Sequence, residues 1–373
     1  MQTKTAGIVM ECNPLHEGHA YLIRKAREEC GHVIVVMSGD FVQRGIPAIE
    51  SKEKRTADIL KAGADLVFEL PVPYATGGAG YFAKGAITLL LGLHSITDLY
   101  FGSESGDLAS LQRAAAYLEK EESPSFREEL KAGLARGMTY PAARTLAAKS
   151  DGVSLPSSPN DLLSIEYLSF LSGSGITPHA VPRITAKSAS SIRKARTLQD
   201  RTLPTARSFS GQLLTALIET AGTYENYLDI SEDLSNRIFN LLPQYRNPED
   251  FALLLKTKDL TYTRVCRALC HILLGIRKDE FCLWQKEGII GYARLLGRRK
   301  SARDLLSEVR RRASFPLVIS PAKDRSAIAA PFQSMLELDK NASFLYDLTA
   351  AGLKKSASPV PRDEEKRLII SDL

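Results

Sequence analysis

The feature that most constrains this chain is the alternation of short apolar runs with amphipathic segments over its first 105 residues. Ala6-Gly7-Ile8-Val9-Met10-Glu11 reads as a strand that stops at the turn residues Asn13-Pro14. A helical pattern follows from about Gly18 to Cys30, with Ala20, Leu22, Ile23 and Ala26 available for burial. His32 to Met37 is a β-branched run stopped by Ser38-Gly39. Lys52 to Ala62 reads as a second helix ended by Gly63, Asp65 to Leu70 as a third strand stopped by Pro71, and Gly78 to Leu93 as a third helix. Thr97 to Phe101 is a fourth strand, closed by Gly102-Ser103. The strands are apolar along their whole length, which points to a parallel sheet covered on both faces. In such α/β sheets ligands sit outside the C-terminal strand ends, so the residues that follow each strand are the first places to look for a site.

Those residues are chemically loaded. Asn13-Pro14-Leu15-His16-Glu17-Gly18-His19 follows the first strand, Ser38 to Gly45 the second, Glu69-Leu70-Pro71 the third and Gly102-Ser103-Glu104-Ser105 the fourth. His16-x-Gly18-His19 sets two imidazoles at a helix start, where a phosphate would meet free N–H groups and the positive end of the helix dipole. Gly18 allows close approach of the backbone, and the imidazoles can donate hydrogen bonds to charge that develops during displacement at phosphorus. Two histidines at this spacing could also hold a metal, but no third ligand adjoins them. There is no GxxxxGK[ST] loop, which excludes a P-loop ATPase. Residues 107–150 read as helical, Asn160 to Leu171 as a helix and Ile176 to Val181 as a strand, and Ser188 to Arg193 opens a further helix with Ser188 as N-cap.

The net charge is +6 over 373 residues. Residues 1–200 carry 22 basic and 22 acidic side chains, and the whole excess lies in residues 201–373. Within 294–312 eight basic residues face two acidic ones. Arg294, Arg298, Arg299, Lys300, Arg303, Arg310, Arg311 and Arg312 therefore read either as a solvated helical face or as a surface for a polyanion. From Pro204 onward the pattern is helical, clearest in Gln212–Thr220, Leu234–Leu242 and Leu260–Ile276, and residues 355–366 read as a mobile tail. The expected organisation is a catalytic domain over 1–200 and a mainly helical, basic domain over 201–373. No apolar run approaches the roughly 18 residues needed to cross a bilayer, and no signal peptide is expected ahead of the first strand. Five sparse cysteines suit a reducing cytoplasm. Cys266, Cys270, His271 and Cys282 match no standard zinc spacing, and no metal site is expected; Cys266 and Cys270 read as core thiols.

The segments Gly7 to His19, Ser38 to Ala48, Glu69-Leu70-Pro71 and Phe101 to Glu104 together resemble the bacterial tRNA(Met) cytidine acetate ligase family of the HIGH-type nucleotidylyltransferase superfamily. The resemblance continues at Thr261 to Arg267 and Ala293 to Gly297. It implies a Rossmann-like HUP-type domain followed by a mainly helical tRNA-binding domain, with the basic residues Arg294 to Arg312 named above as the expected tRNA surface, and a two-step reaction. ATP and acetate form acetyl-adenylate and pyrophosphate, and the wobble cytidine of elongator tRNA(Met) then becomes N4-acetylcytidine. It also implies that ATP, with Mg²⁺, is held by Ile8, Val9, Met10, Glu11, Cys12, Asn13, Pro14, Leu15, His16, Glu17, Gly18, His19, Ala20 and Tyr21, and by Gly102, Asn160, Arg183 and Ser188. The chain departs from the family in a short Ile184–Lys187 segment before Ser188, and in Asp40, where Asn is common.

The roles expected on this basis are specific. His16 and His19 contact the phosphates, Arg193 neutralises them through a bidentate guanidinium, and Asp40 with Gln43-Arg44 lines the same crevice. Glu69 reads equally as a buried polar residue or as a base, and Lys52 and Lys54 as ligands of phosphate or RNA or, more commonly for such lysines, as plain helix surface. Tyr245, Tyr262, Trp284 and Tyr292 are available for stacking on unpaired bases. Two other functions stay open on sequence: a small-molecule adenylyltransferase of pantetheine-phosphate or nicotinamide-nucleotide type, and a non-catalytic RNA-binding protein that keeps a nucleotide pocket. The first leaves the basic helical half without a purpose, and the second leaves the paired histidines without one.

Overall fold

A computed structural model describes residues 3–119, 123–136, 138, 140–184 and 188–372. The first half runs β1 Thr5–Met10, α1 Glu17–Glu29, β2 His32–Ser38, a hairpin of β3 Phe41–Val42 and β4 Ile46–Pro47, α2 Lys52–Ala62 and β5 Leu66–Leu70. It continues with α3 Val72–Ala75, α4 Ala79–Gly92, β6 Asp98–Ser103, α5 Leu108–Glu119, α6 Pro124–Ala135, α7 Tyr140–Ser150, α8 Pro159–Leu171, β7 Thr177–Pro182 and α9 Ala189–Gln199. The apolar runs became strands for the expected reason: every residue of β1 and β5 is buried, covered by helices on both faces. Ser51 caps α2, and Gly63 ends it with φ 122, a conformation that favours glycine.

The second half adds α10 Ser210–Glu219, α11 Glu232–Leu241, α12 Pro248–Leu255, α13 Tyr262–Leu274 and α14 Lys278–Glu287. These helices enclose a core of their own, including Leu217, Tyr224, Leu234, Phe251 and Val265. The chain then returns to the sheet through β8 Ala293–Arg299, α15 Arg303–Arg312, β9 Leu317–Val318, α16 Pro321–Asp324, α17 Ala330–Leu353 and β10 Ile369–Ser371. The sheet order is β10-β8-β5-β2-β1-β6-β7, with β9 on β8. Strands β5, β2, β1, β6 and β7 are mutually parallel, and β8 runs antiparallel to β5.

This corrects the expected boundary at residue 200. The second half is not a separate helical unit, because three of its segments complete the same sheet. The segment around Arg294 is a strand, and its basic residues hid that role: its partner β5 lies more than 200 residues away in sequence.

A buried charged cluster joins β8 to the parallel strands. Lys52 Nζ lies 3.0 Å from Glu69 and 2.9 Å from Asp363. Arg294 pairs with the same two carboxylates, at 3.1 Å from Glu69. Lys366 contacts Glu53 at 2.7 Å and Asp347 at 2.5 Å. Asp339 accepts the Val72 N–H at 2.7 Å and the Tyr292 hydroxyl at 2.5 Å. Lys52 is therefore interior rather than helix surface, Glu69 is a buried partner of two cations, and the expected mobile tail carries two members of the cluster. His271, fully buried, sets its ring nitrogens 2.9 Å from the Leu228 carbonyl and 3.2 Å from the Thr76 carbonyl, with one N–H to donate between them, which ties α13 to the end of α3. Cys266 and Cys270 are buried thiols beside it.

Candidate active site

Strand β1 has β2 on one side and β6 on the other, so the order of strands reverses there and a crevice opens at their C-terminal ends. The turn leaving β1 enters α1 with His16 as N-cap. His16 Nδ1 accepts the Gly18 N–H at 3.1 Å, which leaves its ring proton on Nε2. The imidazoles of His16 and His19 stack, with centroids 3.8 Å apart and planes 17° from parallel. A side chain at residue 18 would collide with the His16 ring, so Gly18 is needed to seat the imidazole as well as to open the backbone.

Burial, then His16 and Arg183, push the His19 pKa down to about 3. Burial, then Arg183, lowers that of His16. Both rings are thus neutral hydrogen-bonding groups rather than cations. His19 Nδ1 is buried and carries no hydrogen bond among the described residues. An orphaned polar atom at a helix N-terminus is an incomplete arrangement that a phosphate oxygen or its water would complete.

The expected nucleotide segment divides by depth. The side chains of Ile8, Met10 and Cys12 belong to one buried cluster and that of Val9 to another, so they can offer a ligand only backbone. Asn13 is buried: its Oδ1 accepts the Ile49 N–H at 2.9 Å, and its carbonyl accepts Arg193 Nη1 at 2.8 Å. Arg193 therefore comes to the turn from α9, where Ser188 caps the helix by accepting the Ser191 N–H at 3.2 Å. Glu11 accepts the Gln43 N–H at 2.9 Å, linking β1 to the β3–β4 hairpin. Pro14 is buried, Leu15, Ala20 and Tyr21 are half-buried, and Glu17 is exposed and paired with Arg24.

On the β6 side the structure assembles three expected residues around one that sequence reasoning left without a role. Glu104 Oε1 accepts Asn160 Nδ2 at 2.9 Å and Arg183 Nη1 at 3.2 Å, while its other oxygen accepts the Asp161 N–H at 3.1 Å. Asp161 in turn accepts from Ser103 Oγ, Ser158 Oγ and the N–H groups of Glu104 and Ser105, at 2.5–3.0 Å. Burial raises the Asp161 pKa, but the Ser103, Ser158 and Ser105 hydrogen bonds outweigh it and hold the carboxylate below its usual range. A Cβ on Gly102 would meet nothing within 4 Å, so this stretch of β6 faces open space. The sequence signals for Glu104 were its position two residues past the glycine at a strand end and its place in the Phe101 to Glu104 segment of the family resemblance.

Asp40 does not line the crevice. It is 3% exposed, accepts the Lys52 N–H at 2.7 Å and the Ser343 hydroxyl at 2.9 Å, and belongs to the charged cluster. The cations that neighbour this extra carboxylate are Lys52, Lys366 and Arg55. Of the short segment before Ser188, Thr185, Ala186 and Lys187 lie outside the described residues.

Three comparisons with known proteins bear on this arrangement. The model of the HIGH Nucleotidyl Transferase family matches residues 3–200 and 189–359. The tRNA(Met) cytidine acetate ligase of Caldanaerobacter subterraneus is 34% identical over 387 aligned residues, covering 92% of this chain and 94% of the relative. The chain belongs to the tRNA(Met) cytidine acetate ligase family. That of Clostridium perfringens is 32% identical, covering 93% of this chain and 96% of its own. Among solved structures, Thermotoga maritima TmcAL bound with alpha-thio ATP aligns with a TM-score of 0.88 at 28% identity, over 99% of this chain and all of that one.

For a member of this family the basic stretch 294–312 needs revision. Arg294 is buried among Glu69 and Asp363 and is withdrawn from any RNA surface. Arg298 pairs with Leu66 at the start of β5, and the Arg299 N–H donates to the Asp65 carbonyl at 2.9 Å. Helix α1 measures how far that is from the histidines. His16 caps its first turn, while Arg27, eleven residues on, pairs with Asp65. At 1.5 Å per residue the two ends lie about 16 Å apart. Arg298, Arg299 and Lys300 thus sit on the opposite edge of the sheet from the crevice. Arg303, Arg310, Arg311 and Arg312 are exposed on α15, with Arg312 paired to Glu308. Of the aromatic residues suggested for base stacking, Trp284 and Tyr292 are fully buried and Tyr245 donates to the Ser210 carbonyl. No helix among the described residues is long and apolar enough to cross a membrane.

Proposed function

We propose that this chain activates acetate with ATP and transfers the acetyl group to the wobble cytidine of elongator tRNA(Met), giving N4-acetylcytidine. The observation that carries the reading is the stacked, neutral His16–His19 pair at the N-terminus of α1, placed where the strand order reverses. The relatives named for this activity, which match nearly the whole chain, support the choice of acyl donor and acceptor.

The residues divide the work as follows. The triphosphate lies against the α1 N-terminus. An acetate oxygen attacks the α-phosphorus, and pyrophosphate departs while the histidine N–H groups, Arg183 and Arg193 stabilise its charge. Glu104 holds Asn160 and Arg183 toward the nucleotide from the β6 side. Mg²⁺ would arrive on the phosphates, as a cation that keeps several of its waters. The RNA surface we propose retains Arg298, Arg299 and Lys300 with the α15 arginines, and omits Arg294. That edge and the crevice lie toward opposite ends of α1, so a stem held at one end can present a loop at the other.

The test is incubation with labelled acetate, ATP, Mg²⁺ and unmodified elongator tRNA(Met). Label in the tRNA at cytidine N4 is the expected result. Acetate-dependent ATP–pyrophosphate exchange without label in any tRNA would refute the acceptor, and absence of exchange would refute the adenylation.

A further inference from the structure

On the reading above, joining a cytidine amine to an acetyl-adenylate releases one proton, which a basic side chain in the crevice can take in competition with the departing phosphate. The histidines of the turn are poor acceptors. The His16 Nδ1 lone pair is engaged by the Gly18 N–H, and His19 resists protonation down to about 3. Most carboxylates near the C-terminal strand ends are committed elsewhere. Asp40 and Glu69 belong to the buried cluster, Asp161 accepts four hydrogen bonds, Glu104 holds Asn160 and Arg183, and Glu50 pairs with Arg196 at 2.9 Å.

Glu11 remains. It lies one residue beyond β1, between that strand and the His16 turn, and is half-buried. Its Oε1 accepts the Gln43 N–H at 2.9 Å, while Oε2 has no hydrogen bond among the described residues. Four elements present titratable or charged groups to it: Arg44 from the β3–β4 hairpin, Arg193 from α9, Arg55 from α2 and the Tyr167 phenol from α8. Burial raises its affinity for a proton, and the guanidiniums of Arg44, Arg193 and Arg55 restrain that rise. A carboxylate held by one donor, with a free oxygen beside the nucleotide turn, is built to receive a proton.

We propose that Glu11 is the proton acceptor of the acyl-transfer step. The N4 lone pair forms the new bond to the acetyl carbon, and the bond from that carbon to the phosphate oxygen breaks. AMP leaves with the electron pair, and the N4 proton passes to Glu11 Oε2, from which water later removes it. No oxidant or further co-reactant is required.

The experiment compares Glu11→Gln and Glu11→Ala with wild type in two assays: acetate-dependent ATP–pyrophosphate exchange, and single-turnover transfer to tRNA(Met) from acetyl-adenylate formed in place. Glutamine preserves the acceptor for the Gln43 N–H but cannot take the proton. The expected result is a ratio of transfer to exchange lowered about 10²-fold or more in both variants. In Glu11→Gln the acid limb of the pH–transfer profile should also disappear. Transfer restored by Gln but not by Ala would make Glu11 a hairpin anchor and overturn the proposal. An unchanged ratio, with both activities falling together, would assign it to nucleotide binding and overturn it as well. Wild-type exchange with no RNA labelled would overturn the acceptor reading and this proposal with it, whereas labelling by wild type and Glu11→Gln alike would overturn this proposal alone.

Discussion

The charged cluster makes a quantitative prediction at Asp40. Four cations, Lys52, Arg55, Arg294 and Lys366, face six carboxylates, Asp40, Glu53, Glu69, Asp339, Asp347 and Asp363. Two of the six are poorly ionised. Burial and the neighbouring Glu53 push Asp40 up to about 7, against Lys52, Lys366 and Arg55, while burial and Glu69 push Asp339 to about 7. With protons on those two, charges balance. An acid whose folded pKa is raised adds stability that is complete below its unfolded value, 3.8 for Asp40, and is lost as the pH rises through 7. The slope over that interval is about 1.4 kcal/mol per pH unit, so from pH 5 to pH 8 wild type loses about 3 kcal/mol at this residue.

Asp40→Asn should remove that loss. Asparagine Oδ1 can still accept the Lys52 N–H, and its amide can donate to Ser343 Oγ. Urea unfolding at pH 5 and pH 8 would be followed by the fluorescence of Trp284, the single tryptophan, which is fully buried and bonded to the Pro331 carbonyl at 2.7 Å. The gap between variant and wild type should move by about 3 kcal/mol in favour of the variant on going from pH 5 to pH 8. Acetyl transfer at pH 6 should be unchanged, since Asp40 lies outside the crevice. Identical pH dependence in the two proteins would mean that Asp40 is already ionised at pH 5, and the proton-balanced cluster would be refuted.

Other substitutions report on the crevice and the tail. His19→Ala should lower exchange about 10²–10³-fold with unaltered urea stability and tRNA affinity, and the neutrality of His19 predicts no inflection from it in wild-type kcat/KM for exchange between pH 5 and 8. Glu104→Ala should raise the KM for ATP about tenfold, measured by exchange, because Arg183 and Asn160 lose a shared charged acceptor worth about 1.5–3 kcal/mol per bond. Asp363→Ala should cost about 3–5 kcal/mol in urea unfolding by leaving Lys52 and Arg294 facing Glu69 alone, and adding Arg294→Met should recover part of that loss.

The first hundred residues were legible because their information is local. Apolar runs, glycine stops and capping residues state each element within a few positions of where it forms. The histidine turn was legible for the same reason. What sequence concealed is long-range. Lys52 looks like a helix-surface lysine until Glu69 and Asp363 close over it, and Asp363 lies 311 residues further along the chain. The β8 segment reads as a basic surface stretch because four of its seven residues are Arg or Gly and its apolar partners belong to β5. Glu104 gains its role only when α8 brings Asn160 beside it, 56 residues away. Asp40 illustrates the opposite risk, in which a residue adjacent to a recognisable segment takes on the function of that segment by proximity in sequence alone.

Removing Arg294 from the RNA surface does not weaken the electrostatic case for a polyanion. The cluster takes two cations from the second half of the chain, Arg294 and Lys366, but also three carboxylates, Asp339, Asp347 and Asp363. What the second half shows to solvent is therefore more positive than its sequence total. The same burial fixes where that charge lies. With Arg294 held among Glu69 and Asp363, the strand that carries it must deliver Arg298 to Lys300 at the far edge, beside Asp65. The ion cluster and the position of the proposed RNA surface are thus consequences of one strand register. A one-residue slip of β8 would bury Arg298 or expose Arg294, and either would unpair a charge in the interior.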